Sequence, residues 1–146
     1  MSNYRLLQLT NNNIPEVATN ANMPLGTITR RVTCNKFEPT FVVSTSNVDT
    51  ITINEEGYYK ITYNGALIAT AAGDVELTLV INGTNTYSVS ETGTAGDIVN
   101  INLDYVTRVF RRTDDIATNN PMTIQIKSTG VALTGGTSNV IVERVY

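Results

Sequence analysis

Residues 58–67 read Tyr58-Tyr59-Lys60-Ile61-Thr62-Tyr63-Asn64-Gly65-Ala66-Leu67. The odd positions Tyr59, Ile61, Tyr63 and Leu67 are apolar, and Lys60, Thr62 and Asn64 fill even ones. Side chains on a strand alternate between faces, so this run buries one face and wets the other. The same period of two continues outward from it. Val75, Leu77, Leu79 and Ile81 alternate with Glu76 and Thr78, and Val99, Ile101, Leu103 and Tyr105 alternate with Asn100, Asn102 and Asp104. Weaker strands are expected over 27–33, 37–43, 48–53, 86–90, 122–127 and 139–145. No useful window shows helical spacing, and β-branched residues are abundant.

Turn chemistry separates these runs. Asn82-Gly83 is a strong hairpin signal, because both positions tolerate positive φ. Asn54-Glu55-Glu56-Gly57 and Gly73-Asp74 each precede a strand, residues 93–96 and Gly135-Gly136 are expected to open wider loops, and residues 114–121 form a longer polar loop. Many short strands with regular turns imply an all-β antiparallel sandwich or barrel. In residues 139–146, Val140, Ile141, Val142 and Val145 fall on both faces of a strand, which asks for cover from a second sheet or a partner chain.

Residues 1–25 differ from the rest. Asn11-Asn12-Asn13, Pro15 and Pro24 favour turns and extended chain. This segment is expected to be an arm or a partly disordered tail, with Leu6, Leu7, Leu9 and Ile14 apolar enough to dock on a partner. Residues 26–146 would then be the folded domain, and a chain of 146 residues is long enough for one.

Composition narrows the chemistry. Ten Lys+Arg face thirteen Asp+Glu, a net charge of -3, which argues against binding nucleic acid phosphates. Histidine is absent, removing imidazole as base or zinc ligand, and a single cysteine, Cys34, excludes an intrachain disulfide. Cys34 reads as a small buried filler before a reactive thiol. Carboxylate pairs stand at Glu55-Glu56 and Asp114-Asp115, but both lie in turns or loops, where solvated acids are ordinary. Arg111-Arg112 beside Asp114-Asp115 suit salt bridges between subunits or an exposed mixed-charge loop. Tyr58, Tyr59 and Tyr63 suit either adhesion to sugar or protein, or core packing with a wet hydroxyl. The opening residues lack the apolar core of a signal peptide. The apolar stretch 66–72, interrupted by Thr70, is far short of the ~20 residues that span a bilayer. Cytoplasmic synthesis without membrane insertion is expected, with no cofactor and no metal.

The stretch from Ile51 to Tyr63, an apolar strand entering a glycine turn and then an aromatic-rich alternating strand, resembles the central signature of the complement globular-head and tumour-necrosis-factor-like jelly rolls. Residues 75–81 leading into Asn82-Gly83 resemble that family's next strand and turn, and 101–109, 122–127 and 140–146 fall where its last three strands should. The resemblance covers roughly residues 27–146. It implies a two-sheet jelly roll of about ten strands, assembled as a homotrimer whose interface would include Tyr59, Tyr63, Val140, Val142 and Tyr146. Such proteins bind and display; they are not enzymes. The Thr- and Asn-rich composition looks more like the bacteriophage and bacterial branch. The expectation is a trimeric head fibre or capsid decoration protein on the virion surface. Its arm would attach to a capsid or other virion protein, and its head would meet a host-surface glycan. Alternatives are the receptor-binding tip of a phage tail, a bacterial spore- or cell-surface structural protein and, more distantly, a glycan hydrolase using the loop carboxylates.

Overall fold

The computed structural model describes residues 4–33, 39–44, 48–110 and 121–146. The described residues form β-strands and connecting segments, without a helix. The strands are β1 (Leu6–Asn11), β2 (Ala21–Asn22), β3 (Thr27–Val32), β4 (Phe41–Val43), β5 (Ile51–Ile53), β6 (Gly57–Ala69), β7 (Gly73–Ile81), β8 (Thr84–Gly93), β9 (Ile98–Val109), β10 (Met122–Ser128) and β11 (Leu133–Arg144). They pair antiparallel in two sheets, ordered β3-β1-β11-β6-β9 and β4-β5-β10-β7-β8, with β2 attached to β10. The chain crosses between sheets after β6 and returns after β8, so the β7–β8 hairpin lies in the layer opposite the paired β6 and β9. This is the expected jelly roll.

The alternation decides what lies between the layers. Tyr59, Ile61, Tyr63 and Leu67 of β6, with Leu103 of β9, face Leu77 and Leu79 of β7, all fully buried. Phe41 meets Tyr59 edge-on, with ring centroids 6.0 Å apart. Each such aliphatic side chain removed from water contributes about 1.5–3 kcal/mol before conformational entropy is offset. At the β7–β8 turn, Asn82 and Gly83 take φ of 51° and 77°, the left-handed pair that a two-residue hairpin requires.

Two expectations about the chain's organisation are corrected. Residues 4–25, the described part of the expected arm over 1–25, are not an arm. β1 lies between β11 and β3, with Leu7 opposite Val142 and Leu9 opposite Val140. Leu7, Leu9, Ile14, Met23 and Leu25 all belong to the core. The segment reads weakly because its partner strand lies at the far end of the chain. Gly135-Gly136 do not open a loop either. They lie inside β11, where the register shifts between Leu133 and Gly135. At Gly136, φ is +129° and a Cβ would come 2.2 Å from the Ala66 carbonyl oxygen, so the neighbouring strand needs glycine there. Cys34, Phe37, Arg111-Arg112 and Asp114-Asp115 lie outside the described residues.

Candidate interaction surfaces

The register of the β3-β1-β11-β6-β9 sheet arranges its outward side chains in transverse rows. One row is Val32, Leu6, Glu143, Lys60 and Val106. The next is Arg30, Gln8, Ile141, Thr62 and Asp104. A third row is wholly uncharged and polar: Thr27, Thr10, Asn139, Asn64 and Asn102. Beyond it, Thr137, Ala66 and Asn100 align. The face therefore runs from an end where apolar side chains flank Glu143 and Lys60, beside Tyr4 and Tyr146, to an amide-rich half, beyond which Ile98 of β9 is again exposed, by 64%.

The apolar end is extended by aromatic side chains. Tyr58 and Tyr146 meet edge-on with centroids 6.0 Å apart, and their backbones are joined by a bond from the Tyr58 N–H to the Tyr146 carbonyl at 2.8 Å. The Arg108 guanidinium lies over both the Tyr58 and Phe110 rings, at 5.4 and 4.6 Å. Val106 and Val145 are exposed close by, Val106 by 54%, and Tyr4 and Val32 are exposed at the same end of the sheet, Val32 on its opposite edge strand. The exterior of the other sheet contrasts with this. There Thr78 bonds Ser88 and Thr129, Thr92 donates to Asp74 and Thr129 to Glu76, a hydroxyl-and-carboxylate lattice suited to water. Val42 of β4 is exposed on that exterior too, but several such side chains gather at the terminal end of the first face, and a gathering of that kind marks an interaction surface.

The amide-rich half carries a cleft of about 630 Å³. Gln8 Nε2 donates to Asn139 Oδ1 at 2.9 Å, and Asn102 Nδ2 donates to Asn64 Oδ1, so these amides are oriented by one another. Ser138 stands across from Gly65, and both line the cleft. The Ser138 hydroxyl is buried without a hydrogen-bond partner, as is the Tyr63 hydroxyl. Burial pushes the Tyr63 phenol up to about 12; nearby Ser138 pulls slightly the other way, although the two hydroxyls do not meet in a hydrogen bond of ordinary geometry. At the side of the sandwich, Tyr87 and Tyr105 stack between β8 and β9, with centroids 5.6 Å apart.

A charged cluster ties the other end together. Glu55 accepts from Arg5 Nε at 3.0 Å, from Arg144 Nη1 at 2.8 Å and from the Thr40 hydroxyl at 2.7 Å. Burial alone pushes the Glu55 carboxyl up, but the bonds from Arg5 and Thr40 and the two positive charges together outweigh it and hold the group below its usual range. This carboxylate is committed to structure, while its neighbour Glu56 is exposed. Sequence reasoning missed the cluster, since its members lie 50 and 89 residues apart.

The expected interface residues are redistributed. Tyr59, Tyr63, Val140 and Val142 point into the sandwich with at most 1% exposure, so a partner chain cannot reach them; this expectation is corrected. Their shared face with Ile61 and Leu67 is the core face. Tyr146 is 85% exposed and joins the aromatic end. Of the expected docking residues, Leu7, Leu9 and Ile14 are core, and Leu6 is half-buried on the outward face. Ile141 supplies the outward apolar side chain that the last strand promised. Among the described residues, no group of three His, Cys, Asp or Glu side chains could hold a metal ion.

No family model matches the chain, and no curated protein does. Solved structures do match. Murine APRIL, at pH 5.0, aligns with a TM-score of 0.68 at 10% identity over 97% of this chain and 99% of that one. The globular domain of zebrafish complement 1qA protein aligns at 0.66 with 8% identity, covering 97% and 98%. The PRD1 vertex protein P5 aligns at 0.57 with 13% identity, covering 97% of each. At these identities the likeness is one of fold: the chain has the antiparallel two-sheet jelly roll of the tumour-necrosis-factor and complement globular-head type.

Proposed function

We propose that this chain is a non-enzymatic structural protein of a bacteriophage virion, a head fibre or capsid decoration protein that assembles as a homotrimer. The observation that carries the reading is the uneven exterior. Tyr58, Val106, Val145 and Tyr146 are exposed at the terminal end of one sheet face, while the opposite sheet shows hydroxyls and charges to solvent. Water penalises that apolar end in a lone chain, and burial between copies or against a capsid protein relieves the penalty. The shared fold with a viral vertex protein supports the virion location. With β1 built into the sheet, attachment runs through the terminal end as a surface, and Leu6 is the expected docking residue that still faces outward.

Light scattering of the purified protein tests the assembly; the expected mass is three times that of the chain, and a lone chain overturns it. Mass spectra of purified particles test the location, and absence of the protein from them removes the virion reading. Copy number per particle separates a head protein from a tail tip. Persistence on bacterial spores or cells in the absence of phage particles would favour a bacterial surface protein instead.

A further inference from the structure

We infer that the cleft on the amide-rich half of the outward face binds a neutral saccharide. Its volume of about 630 Å³ falls within the roughly 300–1,000 Å³ of small-molecule sites. Its chemistry is that of a hydroxyl-rich ligand. The paired amides leave the Asn64 nitrogen as donor and the Asn102 carbonyl as acceptor, and Asn139, whose oxygen is engaged by Gln8, keeps its own nitrogen as donor. Neighbouring hydroxyls on a pyranose each donate and accept, so alternating fixed donors and acceptors fit them. Ala66, half-buried in the cleft, supplies an apolar surface for the C–H face of a ring.

The charge of the site selects among sugars. Among the described residues, Glu91 is the ionisable side chain lining the cleft, and no lysine or arginine lines it. Carboxylated, sulfated and phosphorylated ligands would therefore bring a second negative charge to a site without a cation, and nucleic acid is disfavoured for the same reason. A neutral sugar carries no such penalty and offers Glu91 its hydroxyls as donors. The cleft lies on the half of the face away from the exposed aromatic end, so attachment at one end leaves it available. A single site of this kind binds in the millimolar range, and several copies on one particle multiply the effect. The inference rests on the display reading only for the origin of the ligand on a cell surface.

The test is a titration of the isotopically labelled, assembled protein followed by nuclear magnetic resonance. The probes are methyl glycosides of glucose, galactose and N-acetylglucosamine, with glucuronic and N-acetylneuraminic acids as charged counterparts. Saturable shifts of the Asn64, Asn102 and Asn139 side-chain amides with a neutral probe, and weaker ones with the acids, are expected. The double variant Asn64→Ala/Asn102→Ala should bind roughly tenfold more weakly or worse, with unchanged mass and melting, since both side chains are exposed. The inference is overturned if no neutral probe moves these amides, if the acids bind equally well, or if the double variant binds like the parent. Particle mass spectra are independent of every one of these results, so the two readings fail separately.

Discussion

Arg5 Nε and the Glu55 carboxylate lie 3.0 Å apart, and this contact fastens the entry to β1 onto the turn that launches β6. Arg5 is nearly buried, so the pair holds a cation that water barely reaches. Glu55→Gln removes the carboxylate charge from this contact and should cost about 2–3 kcal/mol at neutral pH, read by urea unfolding. The carboxyl is held below its ordinary value in the folded chain. Its contribution is thus present above the ordinary value of 4.5 and fades as the pH falls through the lowered one. The parent should lose stability across that acid range, and Glu55→Gln should lose less; equal slopes would remove the assigned role.

Tyr63 gives the opposite pH signature. Its phenol is raised to about 12 by burial, so the folded chain resists ionisation that the unfolded chain allows from pH 10. Stability should decline between pH 10 and about 12, and one tyrosine should titrate last in an absorbance titration. Tyr63→Phe removes a buried hydroxyl that has no partner, so it should leave stability unchanged or raise it by about 1 kcal/mol. A clear loss would mean that an ordered water satisfies the group.

Two glycines with positive φ should respond differently to alanine. At Gly83 nothing lies within 4 Å of an added Cβ, so Gly83→Ala carries the conformational penalty alone, about 1–2 kcal/mol. At Gly136 the same atom would strike the Ala66 carbonyl and the Leu67 Cα. Gly136→Ala should therefore cost more, about 3 kcal/mol or above, because β11 or β6 must shift. Thermal melts of the two variants side by side make the comparison.

Val106 and Val142 separate assembly from folding. Val106 is exposed on the outward face, whereas Val142 is fully buried opposite Leu7. Val106→Lys should lower the mass seen by light scattering while the monomer keeps its β-rich circular dichroism. Val142→Asp places an unpaired charge in the core and should abolish folding outright. An unaltered mass for Val106→Lys would exclude the apolar end as the contact between copies.

The long central strands are legible because their pattern is local. β6, β7 and β9 each carry several alternating pairs, and Asn82-Gly83 states its turn type within two residues. β1 is not legible in the same way. In Leu6-Leu7-Gln8-Leu9 the outward Leu6 blurs the period, and the partner that makes it a strand is β11. Gly135-Gly136 read as a loop because glycine marks both loops and bulges; only the approach of the Ala66 carbonyl distinguishes them. The outward amide row was hidden for a related reason. Thr10, Asn139, Asn64 and Asn102 come from four strands, and only the register brings them into line.

The insertion of β1 between β3 and β11 also bears on how the molecule is made. Leu7 leaves the ribosome well ahead of the residue it faces, Val142, which is translated 135 positions later, at about 5–20 residues per second. Until then the nascent chain holds an unzipped sheet with a missing central rung. Closure is thus a late event governed by a long loop, and the growing polypeptide depends on chaperones, or on dilution, to keep that gap from being filled by a stranger's strand.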